Sequence, residues 1–128
     1  MENDPILEVL NNLLNYDEIL ACMVAKHNMI SVMPDKEHFK PEIMTIWDII
    51  KPLMDDIFII ISKYSQAGLR EIKYKLQDYE VLFYIIPGAE NALVAITPAL
   101  SNKELIEKEM EYARNEILKI IENTEVIN

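Results

Sequence analysis

Few residues in this 128-residue chain are of a type that does chemistry, and their spacing assembles no familiar reactive constellation. His27 falls in an expected hairpin turn and His38 in a polar loop. Neither has a serine, cysteine or carboxylate at the spacing of a nucleophilic triad or a metal motif, so both read as exposed turn residues. Cys22 lies inside the apolar run ILACMVA. There it reads as a small buried hydrophobe, because a reactive thiol needs an electropositive setting. Asp55 and Asp56 are adjacent, and neighbours in a helix do not share a face, so they read as a solvated edge. Glu104, Glu107, Lys108 and Glu111 form an exposed helix face with i,i+4 pairs. Met23, Met29, Met33, Met44, Met54 and Met110 read as core filling. Two glycines, against about nine at average usage, leave nothing for a phosphate-cradling loop. The expectation is a chain with no catalytic residue, no cofactor and no metal site, and hence no enzyme.

Composition narrows the class further. Hydrophobic residues make up 51% and charged residues 27%, a globular balance that excludes a disordered tail. Twelve basic residues against 22 acidic ones give a net charge of −10. Such a chain repels phosphate, so no nucleic-acid partner is expected. A single cysteine excludes an internal disulfide. The acidic N-terminus has no basic region of a secretory signal, and no apolar run approaches the ~20 residues that span a bilayer. These features point to a cytoplasmic protein without membrane insertion. The length suits one domain over residues 1–128, with a core over about residues 5–122.

The elements follow from pattern. Asp4-Pro5 is a helix start, and Ile6, Leu7, Leu10, Leu13 and Leu14 make one stripe of a helix over residues 5–15. Ile19 to Ala25 and Met29 to Met33 read as a hairpin around Lys26-His27-Asn28, with Asn28 in the left-handed position. Pro41 suits the first turn of a second helix. Residues 42–66 are apolar around most of a helical circumference, with Pro52 expected to bend the helix near Asp48 and Gly68 to close it. The favoured reading is one long kinked helix; the competing one ends it near Met54 and makes IFIII (57–61) a strand. Three strands follow: a period-two strand from Leu69 to Leu76, then Tyr79 to Ile86, then Ala92 to Thr97. Ser101 and Glu104 read as a capping box opening a last helix that runs to about Glu122. The fold class is therefore α+β: a five-stranded, mostly antiparallel sheet with three helices, in the order α-β-β-α-β-β-β-α.

Hydrophobic surplus concentrates in residues 43–61, more than packing on one sheet face requires. A helix so apolar has to be covered on its second side, and an edge strand invites pairing. A two-fold dimer satisfies both needs.

With these elements in place the chain resembles the Roadblock domain family, the family of dynein light chains, bacterial MglB and the Ragulator scaffold subunits. The resemblance covers about Leu10 to Ile121. It rests on ILACMVAKHNMISVM as the first hairpin, the long helix ending at Gly68, the meander LREIKYKLQDYEVLFYIIPGAENALVAI and the final helix. The chain departs from the family in its first turn, where Lys26-His27-Asn28 replaces the frequent Asp and Gly. The resemblance implies a Roadblock/profilin-like sandwich that dimerises with itself or with a paralogous Roadblock-like chain. Helix contacts would come from Ile43, Ile46, Trp47, Ile50 and Met54, and strand pairing from Ile72, Lys73, Tyr74 and Lys75. It further implies a non-enzymatic scaffold or regulator of a Ras-like small GTPase, acting on its nucleotide cycle or localisation. The alternatives are a nucleotide-independent structural adaptor and, behind it, a small-ligand sensor, which would need a polar-lined cavity.

Overall fold

The computed structural model describes the backbone of residues 4–26, 29–34, 39–87 and 91–127, and the side chains of these except 29–31 and 124–127. Helix α1 (Pro5–Leu13) opens as its sequence demands. Asp4 is extended, and its carboxylate accepts the Ile6 N–H at 2.9 Å, which satisfies one of the orphan donors of the first turn. The chain then runs through β1 (Ala21–Lys26), β2 (Met29–Val32), α2 (Pro41–Ile50), α3 (Met54–Tyr64), β3 (Glu71–Lys75), β4 (Tyr79–Ile86), β5 (Asn91–Pro98) and α4 (Lys103–Ile127).

The strands lie in the order β2-β1-β5-β4-β3, and every recorded pairing is antiparallel. The sheet is the middle of three layers. Its alternate residues split by parity, as the pleat requires. Met23, Phe83 and Val94 turn to the α2–α3 side, while Cys22, Tyr84 and Leu93 turn to the side of α1 and α4. Because both faces are covered, β4 and β5 carry the continuous apolar runs Val81–Ile86 and Ala92–Ile96 rather than alternating ones.

The expected architecture needs correction. The regular ladder holds four strands, β1-β5-β4-β3, all antiparallel rather than mostly so. The fifth, β2, joins it only as a four-residue edge strand, and its pairing with β1 slips register between Val24 and Ala25. The long second helix is interrupted as its proline suggests: α2 and α3 are two α-helical stretches of one kinked rod, joined by a 3-10 turn over Lys51–Leu53. Pro52 is the cause: it has no N–H to donate back to Asp48, and the chain tightens through the gap. Residues 57–61 belong to α3, so the competing strand reading fails. Isoleucine's strand preference yields here to a helix with buried Ile57, Phe58 and Ile61 on one side.

Two termini show how local chemistry sets boundaries. Gly68 adopts φ +97°, and the Leu69 N–H reaches back to the Tyr64 carbonyl at 3.1 Å, the left-handed closure expected of a C′ glycine. At the start of α4 the cap is Asn102 rather than Ser101. The Leu105 N–H donates to Asn102 Oδ1 at 3.1 Å, while Glu18 from the α1–β1 loop accepts the Asn102 N–H at 3.0 Å. A partner 84 residues away in sequence overrode the local pattern. Helix α4 also runs on to Ile127, five residues past the expected end. The expected left-handed Asn28, the loop with His38, and Gly88 lie outside the described residues, as does His27.

Candidate functional site

The sequence directs attention to the long helix and to β3, and the structure separates the parts of each that are free from those already used. Ile43, Ile46, Trp47, Ile50 and Met54 are all buried against the sheet, in one cluster with Phe83, Val94 and Ile96. These five side chains, expected as helix contacts between two chains, pack within the chain's own core. The reason lies in the sequence. A segment apolar round most of its circumference does not declare which stripe meets the sheet.

The stripe left outside consists of Ile49, Leu53, Ile60 and Tyr64. Ile49 is 57% exposed and Tyr64 is 55% exposed. Steps of four, seven and four place the four positions along one side of the α2–α3 rod. Ile59 is exposed beside them. Sequence reading recognised the surplus but did not separate this outer stripe from the inner one. The signal that could have found it is the position of Asp48, Asp55 and Asp56, all exposed and interleaved with the stripe.

Strand β3 closes the sheet at the end opposite β2. Ile72 and Tyr74 are half-buried and turn onto the face that α2 and α3 cover, where the Tyr74 ring meets Phe83 edge-on at 6.1 Å. Lys73 and Lys75 are exposed. The ladder fixes which backbone groups are spent. The Ile85 N–H donates to the Arg70 carbonyl at 3.0 Å and the Leu76 N–H to the Tyr79 carbonyl at 2.8 Å. In an antiparallel ladder alternate residues bond the same neighbour. Even-numbered residues of β3 therefore face β4, and Glu71, Lys73 and Lys75 aim their N–H and C=O groups at the open edge. Two lysines on such an edge discourage unselective pairing.

Beneath α4 lies a polar group that the sequence did not disclose. Glu80 is buried and receives Lys103 Nζ at 3.2 Å. Arg114 is 3% exposed, with its guanidinium 5.3 Å from the centre of the Tyr84 ring and its Nη1 donating to the Arg70 carbonyl at 3.5 Å. The Tyr84 hydroxyl is buried, without a hydrogen bond of good geometry among the described residues. Burial, then the Glu71 carboxylate, raises its pKa. Cys22 donates its S–H to the Leu10 carbonyl at 3.3 Å, and burial pushes the thiol up to about 12. That is the opposite of an activated nucleophile. Asp55, Asp56, Glu104, Glu107, Lys108 and Glu111 are exposed, and among the described residues the ion pairs within α4 are Glu111–Arg114 at 4.0 Å and Glu116–Lys119 at 3.2 Å. Met23, Met54 and Met110 are buried core residues. Among the described residues no group of three His, Cys, Asp or Glu could hold a metal ion, and no helix is long and apolar enough to cross a membrane. The described residues leave two features open at the surface, the apolar stripe on α2–α3 and the outer edge of β3.

No protein-family model matches the sequence, and no curated protein matches it. Solved structures do match in shape. MglB of Myxococcus xanthus aligns over 96% of this chain and 99% of its own, with TM-score 0.75 at 12% identity. The Roadblock/LC7 domain from Streptomyces avermitilis aligns over 92% of this chain and 98% of its own, with TM-score 0.68 at 8% identity. An MglB described with a tetrameric arrangement aligns over 96% of this chain and 94% of its own, with TM-score 0.66 at 13% identity. Likeness that spans nearly the whole of each chain at such low identity is likeness of fold, and the fold of this chain is Roadblock-like.

Proposed function

We propose that the chain is a non-enzymatic dimeric scaffold that binds a Ras-like small GTPase and modulates its nucleotide cycle or localisation. The observation that carries the dimer is the pairing of two unsatisfied features in one chain: the exposed apolar stripe Ile49, Leu53, Ile60 and Tyr64, and the open edge of β3. A second copy, or a paralogous Roadblock-like chain, covers both. Strand pairing uses the backbone of Ile72, Lys73, Tyr74 and Lys75. The residues 1–128 act as one domain in this reading, in the cytoplasm. The GTPase assignment is what the resemblance to the Roadblock family implies, and the likeness of fold to MglB supports it. The charge of −10 favours a partner with a basic patch, through steering of the encounter.

The test has two stages. Light scattering at micromolar concentration reports a dimer for the native chain and a monomer for Ile60→Asp, whose fold is checked by circular dichroism. Native and variant chains are then added to Ras-like GTPases of the same genome, and nucleotide release and hydrolysis are followed. A change with the native chain and none with Ile60→Asp supports the reading. Rates unchanged by the native chain, together with equal capture of the GDP- and GTP-analogue forms, sink it in favour of the nucleotide-independent adaptor.

A further inference from the structure

The open edge of β3 specifies not only that it can pair but also how, and the reasoning rests on the dimer reading above. A two-fold axis perpendicular to the sheet carries each face onto itself. Residues directly opposite one another across an antiparallel junction also share a face. Together these require that some residue of β3 sit opposite its own copy, on the axis. The strand Glu71–Lys75 then offers five registers, which its charges rank.

Centring on Glu71 or Lys75 places like charges face to face on the axis. Centring on Tyr74 sets Lys73 opposite Lys75 twice. Centring on Lys73 sets Glu71 opposite the partner's Lys75 in both halves but that lysine against itself on the axis. Centring on Ile72 is different. Glu71 then lies opposite the partner's Lys73 in both halves, Arg70 opposite the partner's Tyr74, and Leu69 opposite the partner's Lys75. No like charges oppose. The backbone permits this register as it permits the other four, because Glu71, Lys73 and Lys75 all turn their N–H and C=O groups outward and in each register meet odd-numbered residues of the partner; the charges alone rank the five. Opposite charges directly across a junction stabilise it and like charges destabilise it.

We propose that β3 pairs with β3 of a second copy of this chain in one register, with Ile72 on the axis and Glu71 opposite the partner's Lys73. The two symmetric charge pairs make the edge self-complementary and select this chain over one that carries another charge order.

Charge exchange in the full chain tests the register by sedimentation equilibrium, with circular dichroism as the check on folding. Glu71→Lys and Lys73→Glu each reverse both pairs, and each is expected to weaken self-association about tenfold or more. An equimolar mixture of the two variants restores native affinity, because every pair in the mixed dimer is again of opposite charge. Ile72→Cys, at a pair whose Cα atoms approach to about 4.5 Å, forms an intermolecular disulfide on mild oxidation, while Lys73→Cys does not. Rescue of Glu71→Lys by Lys75→Glu, cross-linking of Lys73→Cys, or single variants that dimerise like the native chain overturns the register and leaves the dimer standing. A native chain that stays monomeric overturns the dimer reading itself.

Discussion

Lys103 closes on a carboxylate that the fold has buried: its Nζ lies 3.2 Å from Glu80 Oε2, and the glutamate side chain is 8% exposed while the lysine is 55% exposed. The pair joins the first turn of α4 to strand β4, so it fixes how the helix enters the sheet. Removing the lysine strands a buried carboxylate. Lys103→Ala is therefore expected to cost about 1–3 kcal/mol, read as a shift in the urea midpoint at neutral pH. Glu80→Gln in the Lys103→Ala background recovers part of the loss, since a neutral amide is cheaper to bury than a charge. A double variant no more stable than Lys103→Ala would contradict this account.

The guanidinium of Arg114 makes a second anchor of α4 to the sheet, stacked 5.3 Å from the Tyr84 ring centre. Lysine has neither the planar fork nor the stacking surface. Arg114→Lys is expected to destabilise by about 1–2 kcal/mol, and a double-mutant cycle with Tyr84→Leu to show a coupling of about 0.5–2 kcal/mol. Additive losses would remove the stacking term.

Alkaline stability should carry the signature of Cys22. Its folded thiol is held protonated up to about 12, against 9.0 for the free group. Below 9 both states bind the proton and stability is flat. Above 9 the unfolded chain loses the proton while the folded one keeps it, so unfolding gains ground by up to about 1.4 kcal/mol per pH unit. That loss continues towards 12. Cys22→Ala removes the contribution, and a flatter stability profile between pH 9 and 11 is the result that checks it. The native thiol is also expected to resist a disulfide reagent at pH 8 until the chain unfolds.

Sequence pattern reached far into this fold where one layer dictates the answer. Asp4-Pro5, the Gly68 closure and the run Tyr79–Ile86 all sit where local chemistry places them. It failed where distant parts decide. Asn102 replaced Ser101 as the α4 cap because Glu18 holds its N–H from across the chain. The inner stripe of α2 could not be told from the outer one, since Ile49 and Ile50 are chemically alike and only the sheet distinguishes them. The strand half of the candidate surface was easier, because Lys73 and Lys75 alternate with Ile72 and Tyr74 in a period only a half-covered strand produces.

Ile49 and Ile50 therefore offer a direct contrast. Ile50 is 2% exposed and Ile49 is 57% exposed. Ile50→Ala opens a cavity in the α2–α3 side of the core and is expected to cost about 2–4 kcal/mol. Ile49→Ala changes the unfolding free energy of the monomer by under about 0.5 kcal/mol. Any larger effect of Ile49→Ala should grow with protein concentration, which a dilution series of thermal melts detects.

Gly68 isolates the contribution of backbone conformation alone. Its φ of +97° lies where side-chain-bearing residues are strained, yet a Cβ built there meets nothing within 4 Å. A substitution thus pays no steric contact with the rest of the fold, only the local backbone cost. Gly68→Ala is expected to destabilise by about 1–2 kcal/mol. Gly68→Asn should lose less, because asparagine visits the left-handed region more readily. Equal losses for the two would mean that the α3–β3 junction is held by the Leu69 to Tyr64 hydrogen bond rather than by the glycine's freedom. An Ala variant as stable as the native chain would mean that the junction relaxes to a negative φ.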